Sequence, residues 1–152
     1  MKGLIQRVNH ASVSVKKEII SEINTGVLLL LGIDKTDDSA MAKALCRKVI
    51  NYRIFPDDQG RMNRSLVDID GSLLVVPQFT LAADTRSGSR PGFSVAAPPN
   101  QAELLFREFL VESEQYLGKA SVGRGQFGAE MKVALENDGP VTFLLEVGHE
   151  RA

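Results

Sequence analysis

Apolar and polar positions change rhythm several times along this chain. Short alternating runs come first: "LIQRV" (residues 4–8), "SVSV" (12–15) and "EIISEI" (18–23) predict the strands of an N-terminal meander. "GVLLLLGI" (26–33) is apolar almost throughout and reads as a buried central strand. From Asp38 to Asn51 the period lengthens to that of a helix, with Met41, Leu45 and Val49 on one face and Asp37 or Ser39 available as its cap. "GSLLVVPQFTL" (71–81) predicts another buried strand running into a loop. A second helix is expected after "APPN", capped by Asn100 with Glu103 in the capping-box position. Leu105, Phe109 and Tyr116 continue its apolar face, and Gly118 is its stop. Two alternating runs close the chain. Met131, Val133 and Leu135 share one face, and Val141, Phe143, Leu145 and Val147 another, with Asp138-Gly139 between them like a two-residue hairpin turn.

These elements predict an α+β fold, mainly antiparallel β-sheets layered with two helices, in a single domain over residues 1–152. One residue jars. Pro140 falls where the returning strand of the hairpin should begin donating hydrogen bonds, and proline has no N–H to donate.

Composition narrows the class. The chain has 152 residues, 43% hydrophobic and 24% charged, as ordinary soluble domains do. No apolar run approaches the ~20 residues of a membrane helix, the first residues lack a signal-peptide core, and the single cysteine, Cys46, excludes an internal disulfide framework. The expectation is a cytoplasmic protein without membrane contact. Net charge is −1, from 18 basic and 19 acidic residues, so no DNA partner is expected and any nucleic-acid contact is local. Its candidates are Arg61 and Arg64 in "GRMNRS" and Arg86 and Arg90 in "TRSGSRPG", against the default of solvated surface arginines.

The usual catalytic equipment is missing. The two histidines, His10 at a predicted strand turn and His149 in the tail, have no convergent partners in the sequence. Metal-ligand spacings, phosphate-binding glycine loops and a nucleophile elbow are all absent, so neither a metal nor a cofactor is expected. Cys46, beside Leu45 on the first helix, reads as a small packing residue. Asp37-Asp38 and Asp57-Asp58 read as solvated turns.

Two longer stretches carry more. "VVPQFTLAADT" (75–85) and "NDGPVTF" (137–143) resemble the paired signatures of the D-aminoacyl-tRNA deacylases, and the likeness extends through "LIQRV", "LLGI", "YRIFPDDQGRMN", "RPGF" and "GQFGAEMKVAL". The resemblance implies a homodimer that hydrolyses the ester between a D-amino acid, or glycine, and the 3′ end of tRNA. It implies that the Gly139-Pro140 bond is cis, a geometry that costs only ~0.5–1 kcal/mol before proline. It further implies that the carbonyls of Gly139 and Pro140 enter the partner subunit's pocket. At a hairpin tip such a pair would admit an α-hydrogen and refuse an L side chain, which is discrimination by obstruction.

On the other wall, the resemblance gives Gln78 a hydrogen-bonding role and Phe79 backbone N–H groups for the developing oxyanion, a term typically worth ~10²–10³-fold per donor. Thr80 is either a nucleophile or a positioning group. With no histidine or lysine evident to activate it, positioning is favoured, and the terminal ribose 2′-OH is the family's expected assistant. The chain departs from the family at Pro77, which replaces a serine and supplies neither hydroxyl nor N–H. Phe127 and Met131 match the segment that holds the terminal adenine, or are simply core. Arg7 braces the Gly-Pro turn, or is a surface arginine. The competing reading of the whole is a non-catalytic dimeric module binding small amino-acid derivatives.

Overall fold

Residues 1–148 are described by a computed structural model, and His149 lies outside them. The predicted "LIQRV" and "SVSV" strands are one strand, β1 (Lys2–Val15), with His10 exposed within it rather than at a turn. β2 (Glu18–Ile23) and β3 (Gly26–Gly32) pair antiparallel along the same edge of β1, where Ala11↔Ile23 and Val8↔Gly26 keep equal spacing on both strands. They lie end to end. β6 (Ser72–Pro77) joins β3 in parallel, and β7 (Val122–Arg124) joins β6 in parallel, so the sheet continues β1-β3-β6-β7 and is mixed. β4 (Phe55–Pro56) and β5 (Met62–Arg64) form a separate small hairpin.

The two closing runs are not a hairpin. They form one long strand, β8 (Lys132–Glu146), antiparallel to β1 from Ser14↔Lys132 to Lys2↔Glu146. Pairing breaks where Gln6↔Thr142 gives way to Val8↔Asn137, leaving Asp138–Val141 opposite Arg7 alone. Proline is tolerated in a ladder at such a bulge, because the extra residues donate to no partner strand. The Gly139-Pro140 bond is cis.

The apolar run of β3 is buried on both sides. Val27, Leu29 and Leu31 face a core shared with the helices, while Leu28 faces a second cluster with Val8, Ala11, Val13 and Leu74. A strand covered on both faces needs no alternation, which is why the sequence shows none. Gly26 has no room for a side chain, since a Cβ there would stand 1.8 Å from the Ser72 carbonyl oxygen.

Helix α1 (Ser39–Ile50) buries Met41, Leu45 and Val49 as predicted, together with Cys46. Its cap is Asp38, whose Oδ1 accepts from the Met41 N–H at 3.0 Å. Asp37 is no solvated turn residue: its buried carboxylate accepts from the Met1 amine at 2.7 Å and from the Asp34 N–H at 2.7 Å. Helix α2 (Pro99–Leu117) buries Leu105, Phe106, Phe109 and Leu110 and stops at Gly118 with φ 84°. Asn100 and Glu103 do not cap it. Pro98 occupies the cap position and Pro99 the first turn, where a missing N–H costs nothing and the fixed φ is already helical. Tyr116 is 45% exposed, so the predicted face overran its last turn. Phe109, Leu45 and Leu73 are fully buried, each contributing roughly 1.5–3 kcal/mol of transfer free energy.

Candidate active site

The parallel strand β6 delivers one wall. Pro77 pairs with Leu31 at its end, the Gln78 N–H donates to the Leu31 carbonyl at 2.8 Å, and the chain turns into a 3-10 helix, Phe79–Ala82. Gly32 lets that turn sit directly on β3, because a Cβ there would come within 2.7 Å of Leu81 Cβ. The turn's own bonds begin with Leu81 N–H to the Gln78 carbonyl, 3.1 Å. The N–H groups of Phe79 and Thr80 are therefore outside its ladder and free to donate to a ligand oxygen. Gln78 Nε2 donates to Thr80 Oγ1, tying the two side chains together. Thr80 is exposed and the Phe79 ring is 64% exposed, stacked at a tilt on Phe93 with 5.4 Å between centroids. This wall presents donors to open surface.

The second wall is the β8 bulge. Arg7, its side chain 12% exposed, donates from Nε to the Asp138 carbonyl at 3.1 Å and from Nη1 to the Ile54 carbonyl at 2.7 Å, and its Nε lies 3.3 Å from Asp138 Oδ2. Asn137 Nδ2 bridges the Arg7 carbonyl (2.9 Å) and the Val141 carbonyl (3.0 Å). Arg7 is thus no free surface arginine. Gly139 has φ 139°, and a Cβ there would meet Val141 Cγ2 at 2.5 Å. Both Gly139 and Pro140 are exposed.

Met131 lies near the first wall. Met131 Sδ and Pro77 Cδ both crowd Gly125, at 2.8 and 3.2 Å from where its Cβ would be. Phe127 packs on Phe106 with centroids 6.2 Å apart, partly covered by the main core, and Met131 packs on the second. Gly125 and Asn137 escaped the sequence reading. The first carries no turn signal, and the second sat inside a motif read for its glycine and proline.

Within one chain the walls stay apart. Arg7 lies four residues along β1 from Gly3, which shares its rung with Leu31 and Pro77, and three strand spacings separate β6 from β8. At about 3.3 Å per residue and about 4.8 Å per strand, the separation is roughly 20 Å. Among the described residues, no hydrogen bond joins 77–80 to 137–141.

No three His, Cys, Asp or Glu side chains converge as metal ligands would among the described residues. Asp34 has its carboxyl pushed up by burial, and Cys46 is pushed up to about 11, also by burial, so its thiol is no ready nucleophile.

Proteins of Marinobacter nauticus and Stutzerimonas stutzeri, each named D-aminoacyl-tRNA deacylase, are 62% and 58% identical over 148 and 146 residues, covering 97% and 96% of this chain and 95% and 99% of theirs. This is the class of ester hydrolases that act on a tRNA substrate, and the non-catalytic alternative gives way to it. The profile of the D-Tyr-tRNA(Tyr) deacylases matches residues 4–146, and the chain belongs to that family. Among solved structures, one titled c-Myc DNA Unwinding Element Binding Protein superposes with TM-score 0.93 at 39% identity, covering 97% of this chain and 99% of its own. A probable eukaryotic D-amino acid tRNA deacylase shares the fold, with TM-score 0.80 at 16% identity and 96% and 98% coverage.

Proposed function

We propose that this chain, as one domain twinned in a homodimer, clears D-amino acids from tRNA in the cytoplasm and spares the L-aminoacyl forms. The observation that carries the reading is the pair of unspent N–H groups at Phe79 and Thr80, beside a Gln78–Thr80 hydrogen bond on an exposed turn. Donors fixed by the backbone before substrate arrives need no reorganisation as charge develops on the ester carbonyl oxygen. Water adds to that carbonyl carbon, the bond to the ribose oxygen breaks, and a proton from the added water passes to the departing ribose oxygen. Free tRNA and the amino acid result. Thr80 positions the ester rather than attacking it, since its hydroxyl is engaged by an amide donor and not by a base.

Selectivity belongs to Gly139 and Pro140. A separation of roughly 20 Å within the chain means that the bulge of one subunit meets the Phe79 turn only if it comes from the other. Pinned by Arg7 and Asn137, it obstructs an L side chain without reading the D one. Glycine, with no side chain to refuse, passes, so glycyl-tRNA(Ala) is a further substrate. Phe127 and Met131, with Pro77 between them and the turn, hold the terminal adenine.

The test is hydrolysis of matched D-tyrosyl-tRNA and L-tyrosyl-tRNA by the purified protein without added metal. Loss of the D ester alone is expected. Equal cleavage of both removes the steric gate, and cleavage of neither removes the editing role.

A further inference from the structure

Past the 3-10 turn the chain enters an arginine-bearing loop that the ester chemistry does not use. Asp84 and Gly92 close it with reciprocal backbone bonds of 2.7 and 3.0 Å. Asp84 then accepts from Arg86 Nε at 2.9 Å and Nη2 at 2.8 Å, so its negative charge is matched within the loop. The root is fastened to the body through the Val95 carbonyl, which accepts from the Lys35 N–H at 2.9 Å.

A cleft of about 440 Å³ opens between this loop and the ends of β1 and β3. Lys2, Lys35 and Arg86 line it, opposite Asp34 and Asp84, and its wall includes Ala82 in the same turn as Thr80. The Lys35 and Arg90 side chains are exposed, and no carboxylate pairs with either among the described residues. In a chain of net charge −1, this is a local surplus of cations beside the turn that faces the ester.

We propose that this cleft and the loop bearing Arg90 hold the phosphodiester backbone of the single-stranded RNA just upstream of the nucleotide that carries the ester. The inference rests on the deacylase reading. The ester-bearing nucleotide sits at the turn, so the phosphates preceding it leave from its edge, where the cleft begins. Exposed cations hold a polyanion through counterion release, which is weak, dependent on salt and indifferent to base sequence. That suits an enzyme that selects an ester and not a tRNA sequence.

The experiment compares D-tyrosyl-tRNA with the D-tyrosyl ester of adenosine, which carries no upstream phosphate. The variant is Lys35→Ala combined with Arg90→Ala; both side chains are exposed, and thermal melting checks that the fold is kept. Expected is a roughly tenfold higher KM for the tRNA with kcat unchanged, and a salt dependence of log KM shallower by about 1 to 1.5. The adenosine ester is turned over as by wild type. Lys43→Ala, on α1, leaves both substrates unaffected. A KM for tRNA within about twofold of wild type, or equal loss on both substrates, overturns the phosphate site. Anisotropy with uncharged tRNA separates the two failures. Wild type that cleaves neither substrate overturns the deacylase reading, whereas undiminished tRNA affinity in the double variant overturns this one.

Discussion

Residues 77–80 and 137–141 solve the problem of holding a backbone still in opposite ways. The first segment hangs from a strand buried on both sides, and its position is set by main-chain bonds to β3 and by the absence of a side chain at Gly32. Its outward groups are left unspent. The second lies on a strand with exposed positions along most of its length and has lost its ladder partners, so Arg7 and Asn137 must supply the missing restraints. A catalytic donor is best fixed from behind, leaving its front free. An obstacle only has to stay where it is, and side chains can tether it from the sides.

The sharpest way to break this contrast is Gly139→Ala. The new Cβ meets Val141 and the residue must keep φ 139°, so the bulge shifts. A displacement of the order of an ångström at a reacting site costs up to ~10²-fold, and the D-over-L rate ratio should fall by about that factor. A ratio unchanged in a variant with a lowered Tm means that the bulge only stabilises the fold. Thr80→Ala comes next, with kcat down roughly tenfold and KM little changed, as for a lost positioning group. Complete loss of turnover with binding intact points instead to a nucleophile, and single-turnover trapping of an acyl-enzyme is the check.

Arg7→Ala tests the tethers. It strips the Asp138 and Ile54 carbonyls of a charged donor, and denaturant unfolding should register about 2 kcal/mol. The D-over-L ratio should drop less than for Gly139→Ala, and D-ester turnover should be nearly kept; a kcat loss like that of Thr80→Ala merges the two walls into one unit. The smallest effect concerns pH. The Asp84 carboxyl is held well below the ordinary carboxylate range, first by the Arg86 side chain and then by the Arg86 N–H. A depressed folded-state pKa gives a contribution complete above the unfolded value of about 4 and lost as pH falls through the folded one. Arg86 Nε–H should keep its bonded NMR shift down to about pH 4, then lose it in stronger acid. Loss near neutrality contradicts the pairing.

The two segments were also unequally legible. "PQFTL" followed a strongly apolar run, so its place at a strand end was readable, though the 3-10 turn was read as loop. "NDGP" was misread because Asp-Gly between alternating runs is the commonest hairpin signal. The objection raised by Pro140 was sound, and its resolution was a bulge in an uninterrupted strand. The caps show the same limit: Asp38 displaced both candidates for α1, and Pro98-Pro99 displaced Asn100 for α2. Capping residues are common near helix starts, and only the path of the entering chain selects one. Asp37 went wrong for a related reason, since its partner, the Met1 amine, is 36 residues away.

Local pattern placed the long apolar strands, both helices with most of their buried faces, and the residues of both motifs, because periodicity and local residue chemistry act over a few neighbours. Tertiary structure alone decided the rest. It made β8 a single partner for β1, put the mixed order β1-β3-β6 between the motifs, and brought Arg7 to Asp138 across 131 residues. Strand pairing is long-range, and a backbone N–H or carbonyl reads the same in every residue, so no local pattern records which partner it finds.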